Sequence, residues 1–187
     1  MAATEPTSST PPPAGGPTDW PNASELSERL GEEIGRAERY GTPLSLLLIV
    51  VENLDEIARE HGAELREQTL AYIAGALNRE LRNFDRIGIP DHRELAILLP
   101  GADGPRGEMV ARRVLDRLRA IKVEAAERRE ALRISVGLAS WRPESTAPLM
   151  IQRARAAAAR STNGEHSTAA HEPHEETDSP EPPLSTS

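Results

Sequence analysis

The chain has 187 residues, of which 37% are hydrophobic, 28% charged and 3% aromatic, with a formal net charge of −8. Such a length sets the expectation of one ordinary domain, and the composition excludes both wholesale disorder and a membrane-embedded chain. Cysteine is absent, which excludes disulfide scaffolds, thiol nucleophiles, iron–sulfur clusters and cysteine-ligated zinc, and suits a reducing cytoplasm.

Proline and charge divide the chain into three parts. Six of the 16 prolines fall in residues 1–21 and four in 165–187. Residues 1–21 lack apolar periodicity and have no basic start followed by an apolar stretch, so a disordered Pro/Ser/Thr-rich tail is expected there, not a secretory leader. Residues 165–187 read as a second disordered tail, acidic in character. Together the tails hold eight acidic residues and no Lys or Arg, which accounts for the whole net charge. The remaining part, 22–164, balances its charges and gives no electrostatic case for nucleic acid. Its longest apolar run, Leu44 to Val51, is far shorter than the roughly 18 residues of a membrane helix.

In chain order, Asn22 with Glu25, or Ser24 alone, caps a helix in which Leu26, Leu30, Ile34 and Ala37 recur every three or four residues until Tyr40-Gly41. Leu44–Val51 is short, almost continuously apolar and ends in β-branched residues, the pattern of a strand buried on both faces. A short helix over 53–60 leads through His61-Gly62 into a longer one with Leu65, Thr69, Leu70, Ile73, Leu77 and Leu81 on one face. Arg86–Ile89 and Glu94–Leu99 are expected to form a hairpin around a polar turn at Pro90-Asp-His-Arg93. Pro100–Pro105 breaks the chain before a helix with Val110, Val114, Leu118 and Ile121 inward. A strand with Leu132, Ile134, Val136 and Leu138 on one face follows, then a helix over about 146–161 that packs Leu149, Met150, Ala154, Ala157 and Ala158. This order predicts an α/β (α+β) fold, a mixed central sheet covered by helices.

Three segments carry a family resemblance: RAERYGTPLSLLLIVVENLDEI (36–57), LRNFDRIGIPDHRELAILLP (81–100) and RISVGLAS (133–140). They resemble the GGDEF domain of bacterial diguanylate cyclases, which condense two GTP into cyclic di-GMP. The resemblance covers nearly all of 24–164 and implies a nucleotidyl-cyclase-like sheet. It also implies a set of active-site positions at which this sequence departs from the family. The two metal-ligating acids become Val50 and Arg93, and the two glycines of the signature become Asp91 and His92. Glu52, Glu94 and Leu95 fill the remaining signature positions; Asp55 stands for a phosphate-contacting lysine, and Ala58 and Glu67 for the guanine-reading Asn and Asp. A methyl-terminated side chain gives a hard cation no oxygen, a guanidinium repels it, and an anionic tip repels phosphate. Loss of metal, charge neutralisation and base recognition together implies a catalytically inactive domain that needs no cofactor, with no metal bound.

The resemblance also implies one retained feature. Many such cyclases carry an inhibitory product site of the form RxxD with a second arginine from the following helix, and Arg82-Asn-Phe-Asp85 and Arg113 fall at those positions. Arginine forks suit phosphates and guanine edges, and a carboxylate accepts from guanine N–H groups. The leading expectation is therefore a cyclic di-GMP receptor using Arg82, Asp85 and Arg113. Two alternatives stand beside it: a ligand-independent interaction or dimerisation module, and an active cyclase using Glu52 and Glu94, which alone would need Mg²⁺. Elsewhere, His166, His171 and His174 lie among acids in the C-terminal tail without fixed geometry. Gly101–Gly107 lacks phosphate-loop spacing. Trp141 is expected to close the edge of the last strand.

Overall fold

The structure is a computed structural model that describes residues 20–82, 85–125, 128–161 and 169–171. The expectations for residues 1–19, Asn83-Phe84, His166 and His174 lie outside the described residues.

Helix α1 (Ala23–Tyr40) starts at the expected capping box: the Asn22 side chain accepts from the Ser24 and Glu25 N–H groups, and the Glu25 carboxylate accepts from the Asn22 N–H. It ends at Gly41 in the left-handed conformation, φ 62°. Strand β1 (Leu44–Val51) follows, then α2 (Leu54–His61) and α3 (Ala63–Asn78), β2 (Arg86–Asp91), β3 (Glu94–Pro100), α4 (Gly104–Arg119), β4 (Lys122–Ala125), β5 (Arg128–Ala131), β6 (Ile134–Ser140), α5 (Ala147–Ser161) and β7 (Ala169–His171).

The main sheet has the order β2-β3-β1-β6-β7, with β1 antiparallel to both β3 and β6, and β7 parallel to β6. Side-chain alternation along β1 splits the core in two. Leu47, Ile49 and Val51 pack under α2, α3 and α4, while Leu44, Leu46 and Leu48 pack under α1 and α5. Both faces being covered explains why the strand reads as an apolar run broken only by Ser45. The same holds for β6, which is buried along both faces and not only along the alternating one. Gly137 makes this possible: a Cβ there would lie 2.0 Å from the Ala154 carbonyl oxygen and 2.4 Å from the Ala158 nitrogen, so α5 rests backbone-to-backbone on the strand. On the opposite face Gly107 lets α4 approach Leu138, whose methyl carbons would stand 2.9 Å from a Cβ. The segment 101–107, expected as a loop, is thus helical from Gly104, and Gly107 within α4 serves packing.

Four differences from the sequence reading have physical causes. The hairpin turn is tighter than Pro90–Arg93, because Asp91 pairs with Glu94 and leaves His92-Arg93 between the strands. The register shifts at Ile89-Pro90, where proline has no N–H for the ladder and the Ile89 N–H donates outward to the Pro21 oxygen at 2.8 Å. Helix α3 stops at Asn78, so Leu81 joins the core from the following loop. Finally, β4 and β5 form a separate two-stranded hairpin, and Ala169–His171, expected within an unstructured tail, pairs with Val136–Leu138.

Candidate functional site

The end of β1, the β2–β3 turn and the start of β6 meet at one end of the sheet. The Val51 N–H donates to the Arg93 oxygen at 3.0 Å and the Glu52 N–H to the Arg133 oxygen at 2.8 Å, which straps residues 50–52 between turn and strand. Val50 sits opposite Glu94 on one side and Ser135 on the other. Opposed residues share a sheet face, and the half-buried Val50 side chain packs in the α1/α5 layer.

Across that face, α5 delivers Arg155 to Glu94. The guanidinium Nε lies 2.9 and 3.0 Å from the two carboxylate oxygens and Nη2 lies 2.7 Å from Oε2. The Glu94 side chain is only 12% exposed, so the arginine fork, and not water, neutralises it. Those hydrogen bonds hold the Arg155 guanidinium above the ordinary arginine range.

At the turn, His92 Nδ1 lies 2.6 Å from Asp91 Oδ1 and His92 Nε2 lies 3.3 Å from Asp55 Oδ2; Arg93 Nε stands 3.7 Å from the same Asp55 oxygen. The His92 hydrogen bond pulls Asp91 below the usual carboxylate range, and the same bond, helped by Asp55, raises His92 above the ordinary histidine value. Arg66 of α3 donates to the His92 carbonyl oxygen at 2.8 Å and pairs with Glu67 at 2.7 Å. Ala58 is half-buried on α2, Glu52 half-buried beyond β1, and Leu95 fully buried. Asp55, Glu67, Asp91 and Glu94 therefore each face a cationic or protonatable side chain supplied by the protein.

Arg82 and Asp85 lie between α3 and β2 and form a closed turn: the Asp85 carboxylate accepts from the Arg82 N–H at 2.8 Å, and the Asp85 N–H donates to the Arg82 oxygen at 3.1 Å. The Arg82 side chain is exposed. Arg113 projects from α4 to the same segment, its Nη2 donating to the Glu80 carbonyl oxygen at 2.6 Å and its Nε 3.3 Å from the Glu80 carboxylate. Arg117 approaches that carboxylate at 3.8 Å. The fold thus brings Arg82, Asp85 and Arg113 into one neighbourhood, separate from Glu52, Glu94 and the hairpin turn.

Arg155, Arg66 and Glu80 lie outside the motif positions that the sequence marks. Each acts on a residue at such a position, and for Arg155 and Arg66 the partner is 61 or 26 positions away, where no spacing rule points to it.

Strand order, the hairpin beside β1 and the two helical layers define a nucleotidyl-cyclase-like domain. The family model described as "Diguanylate cyclase, GGDEF domain" matches residues 16–167, and the chain belongs to that family. Diguanylate cyclase DgcP of Pseudomonas aeruginosa is 35% identical over 103 residues, which is 55% of this chain and 15% of DgcP, so the chain spans a small part of that relative. Among solved structures, diguanylate cyclase SiaD of Pseudomonas aeruginosa in complex with its activator SiaC superposes with a TM-score of 0.77 at 28% identity, over 83% of this chain and 60% of SiaD. The GGDEF domain of DgcB from Caulobacter crescentus, in complex with c-di-GMP, superposes with a TM-score of 0.76 at 17% identity, over 90% of this chain and 98% of that one.

Proposed function

We propose that this GGDEF-family domain makes no cyclic di-GMP and serves instead as a receptor for it, bound through Arg82, Asp85 and Arg113. Three observations argue against turnover. Cyclases of this family use Mg²⁺, and the residues here do not fit the ion: Val50 offers hydrocarbon where an oxygen is needed, Arg93 brings a positive charge, and both Glu94 oxygens are engaged by Arg155. The turn presents an Asp91 carboxylate where a triphosphate would need neutral backbone. Ala58 offers no polar group to a guanine edge, and the Glu67 carboxylate, which could accept from one, is paired with Arg66.

The observation that carries the receptor reading is the convergence of two arginines from different elements on one short turn. Arg113 is fastened to Glu80, two residues before Arg82, and the Arg82–Asp85 turn leaves the Arg82 guanidinium exposed. Such a pair suits two phosphates of one cyclic dinucleotide, with Asp85 available to guanine N–H groups. Calorimetric titration with cyclic di-GMP, with GTP/Mg²⁺ as comparison, tests it. Binding in the micromolar range that is lost in an R82A/D85A variant is the expected result. Absence of heat with either nucleotide would overturn it in favour of the second reading, a protein-interaction module, which draws support from the SiaD–SiaC complex of a similar fold. Magnesium-dependent product formation abolished by Glu94→Ala would overturn both.

A further inference from the structure

Away from both sites, α2 and the β4–β5 hairpin meet at three side chains able to hold a metal ion. Glu60 and His61 end α2, and Glu130 lies on β5, opposite Val123 of β4. His61 Nε2 is 3.1 Å from Glu130 Oε1 and 3.8 Å from Glu60 Oε2, and the three donor atoms all lie within 4.8 Å of one another. Ligands bound to zinc at about 2.0–2.2 Å in a tetrahedron stand roughly 3.3 Å apart, so modest side-chain rotation brings this trio to that spacing.

The backbone around the trio is held by contacts that owe nothing to those three side chains. Asn53, buried at the head of α2, donates from Nδ2 to the Ala131 oxygen at 3.1 Å and accepts on Oδ1 from the Arg133 N–H at 2.9 Å. It thereby fixes the segment next to Glu130 against the helix that carries His61. That helix ends immediately afterwards: Gly62 takes φ 93° and its N–H closes the last turn on the Ala58 oxygen. Residues 69 apart in sequence are thus presented to each other before any ion arrives.

We infer that Glu60, His61 and Glu130 form a divalent transition-metal site, with zinc as its natural probe. One imidazole nitrogen and two carboxylate oxygens suit a borderline cation better than Mg²⁺ or Ca²⁺, which take oxygen ligands almost exclusively. His61 and Glu130 are partly buried while Glu60 is more exposed, so three protein ligands leave an outward position for water. The ion pins the β4–β5 hairpin to the end of α2. It stands apart from Val50, Arg93 and Glu94 and implies nothing about nucleotide turnover.

The test is calorimetric titration of the chelator-treated full chain with ZnCl₂, in parallel with H61A, E130Q and a triple variant in which His166, His171 and His174 are alanine. One ion per chain, bound about tenfold or more weakly in H61A and in E130Q and unchanged in the triple variant, is the expected pattern. Saturating zinc should also raise the melting temperature of the wild type by about 5 °C and, at the same zinc concentration, raise that of E130Q distinctly less. E130Q keeps a hydrogen-bonding group at the position, and circular dichroism without zinc checks that it folds. No heat, equal affinity in wild type and E130Q, or loss of binding in the triple variant would each overturn the site.

Discussion

The two ends of this domain treat charge in opposite ways. At the β2–β3 turn, charges are consumed internally: Glu94 is clasped by Arg155, Asp55 faces His92 and Arg93, and Glu67 faces Arg66. At the loop after α3 the balance is reversed, with Arg113 and Arg117 sharing the one Glu80 carboxylate and Arg82 turned to solvent. An incoming cation or triphosphate must displace existing ion pairs at the first end, whereas at the second an anion meets the exposed Arg82 and competes with one carboxylate, Glu80, for Arg113 and Arg117. One fold thus arranges charge differently at its two ends, pairing the carboxylates near the turn with its own arginines and histidine while leaving Arg82 exposed after α3.

The comparison breaks most severely if their common frame is removed. Gly137→Ala forces a methyl group into the α5 backbone and should cost about 4 kcal/mol or prevent folding, read by urea denaturation. Next, Arg155→Ala strands a mostly buried carboxylate at Glu94; a loss of about 1–2 kcal/mol is expected, a fall in melting temperature of several degrees, with cyclic di-GMP affinity unaltered. If affinity falls too, the ends are coupled and the contrast fails. Arg82→Ala should do the reverse, with stability within about 0.5 kcal/mol of wild type and binding at least about tenfold weaker.

The smallest effect is a pH dependence at the turn. His92 is raised above its ordinary value of 6.5, so its contribution is fully present below 6.5 and disappears as pH rises through the higher folded value. Asp91 is lowered from 3.8, so its contribution is present above 3.8 and disappears as pH falls through the lower folded value. The pair stabilises most between those limits, by a fraction of a kcal/mol because both groups are about half exposed. An NMR titration should place His92 above 6.5 in the wild type and shift it back towards 6.5 in Asp91→Asn; no shift would remove Asp91 as the cause.

Much of this frame was legible because its signals are local. The capping box at Asn22 and Glu25, the apolar run of β1 and the alternation of β6 each state their structure within a few residues. The β4–β5 hairpin was not legible: its strands are four residues each and rich in charge and alanine, a composition that favours helix or loop over strand. β7 has three residues and exists only by pairing with β6. At the sites, the identity of each position was readable from the motif, but its ionic partner was not. Arg155 and Glu80 become relevant only once α5 packs over β6 and β1 within side-chain reach of β3, and α4 packs against α3.

The Ile89–Pro21 hydrogen bond bears on how other molecules approach. It covers the outer side of β2 with the segment entering α1, and β7 covers the opposite margin of the sheet along β6. The β2 flank is therefore partly obstructed against strand addition, while the three-residue β7 is itself the opposite edge of the sheet. Trimming the segment ahead of Asn22 should uncover β2 and first show itself as self-association, before any loss of fold.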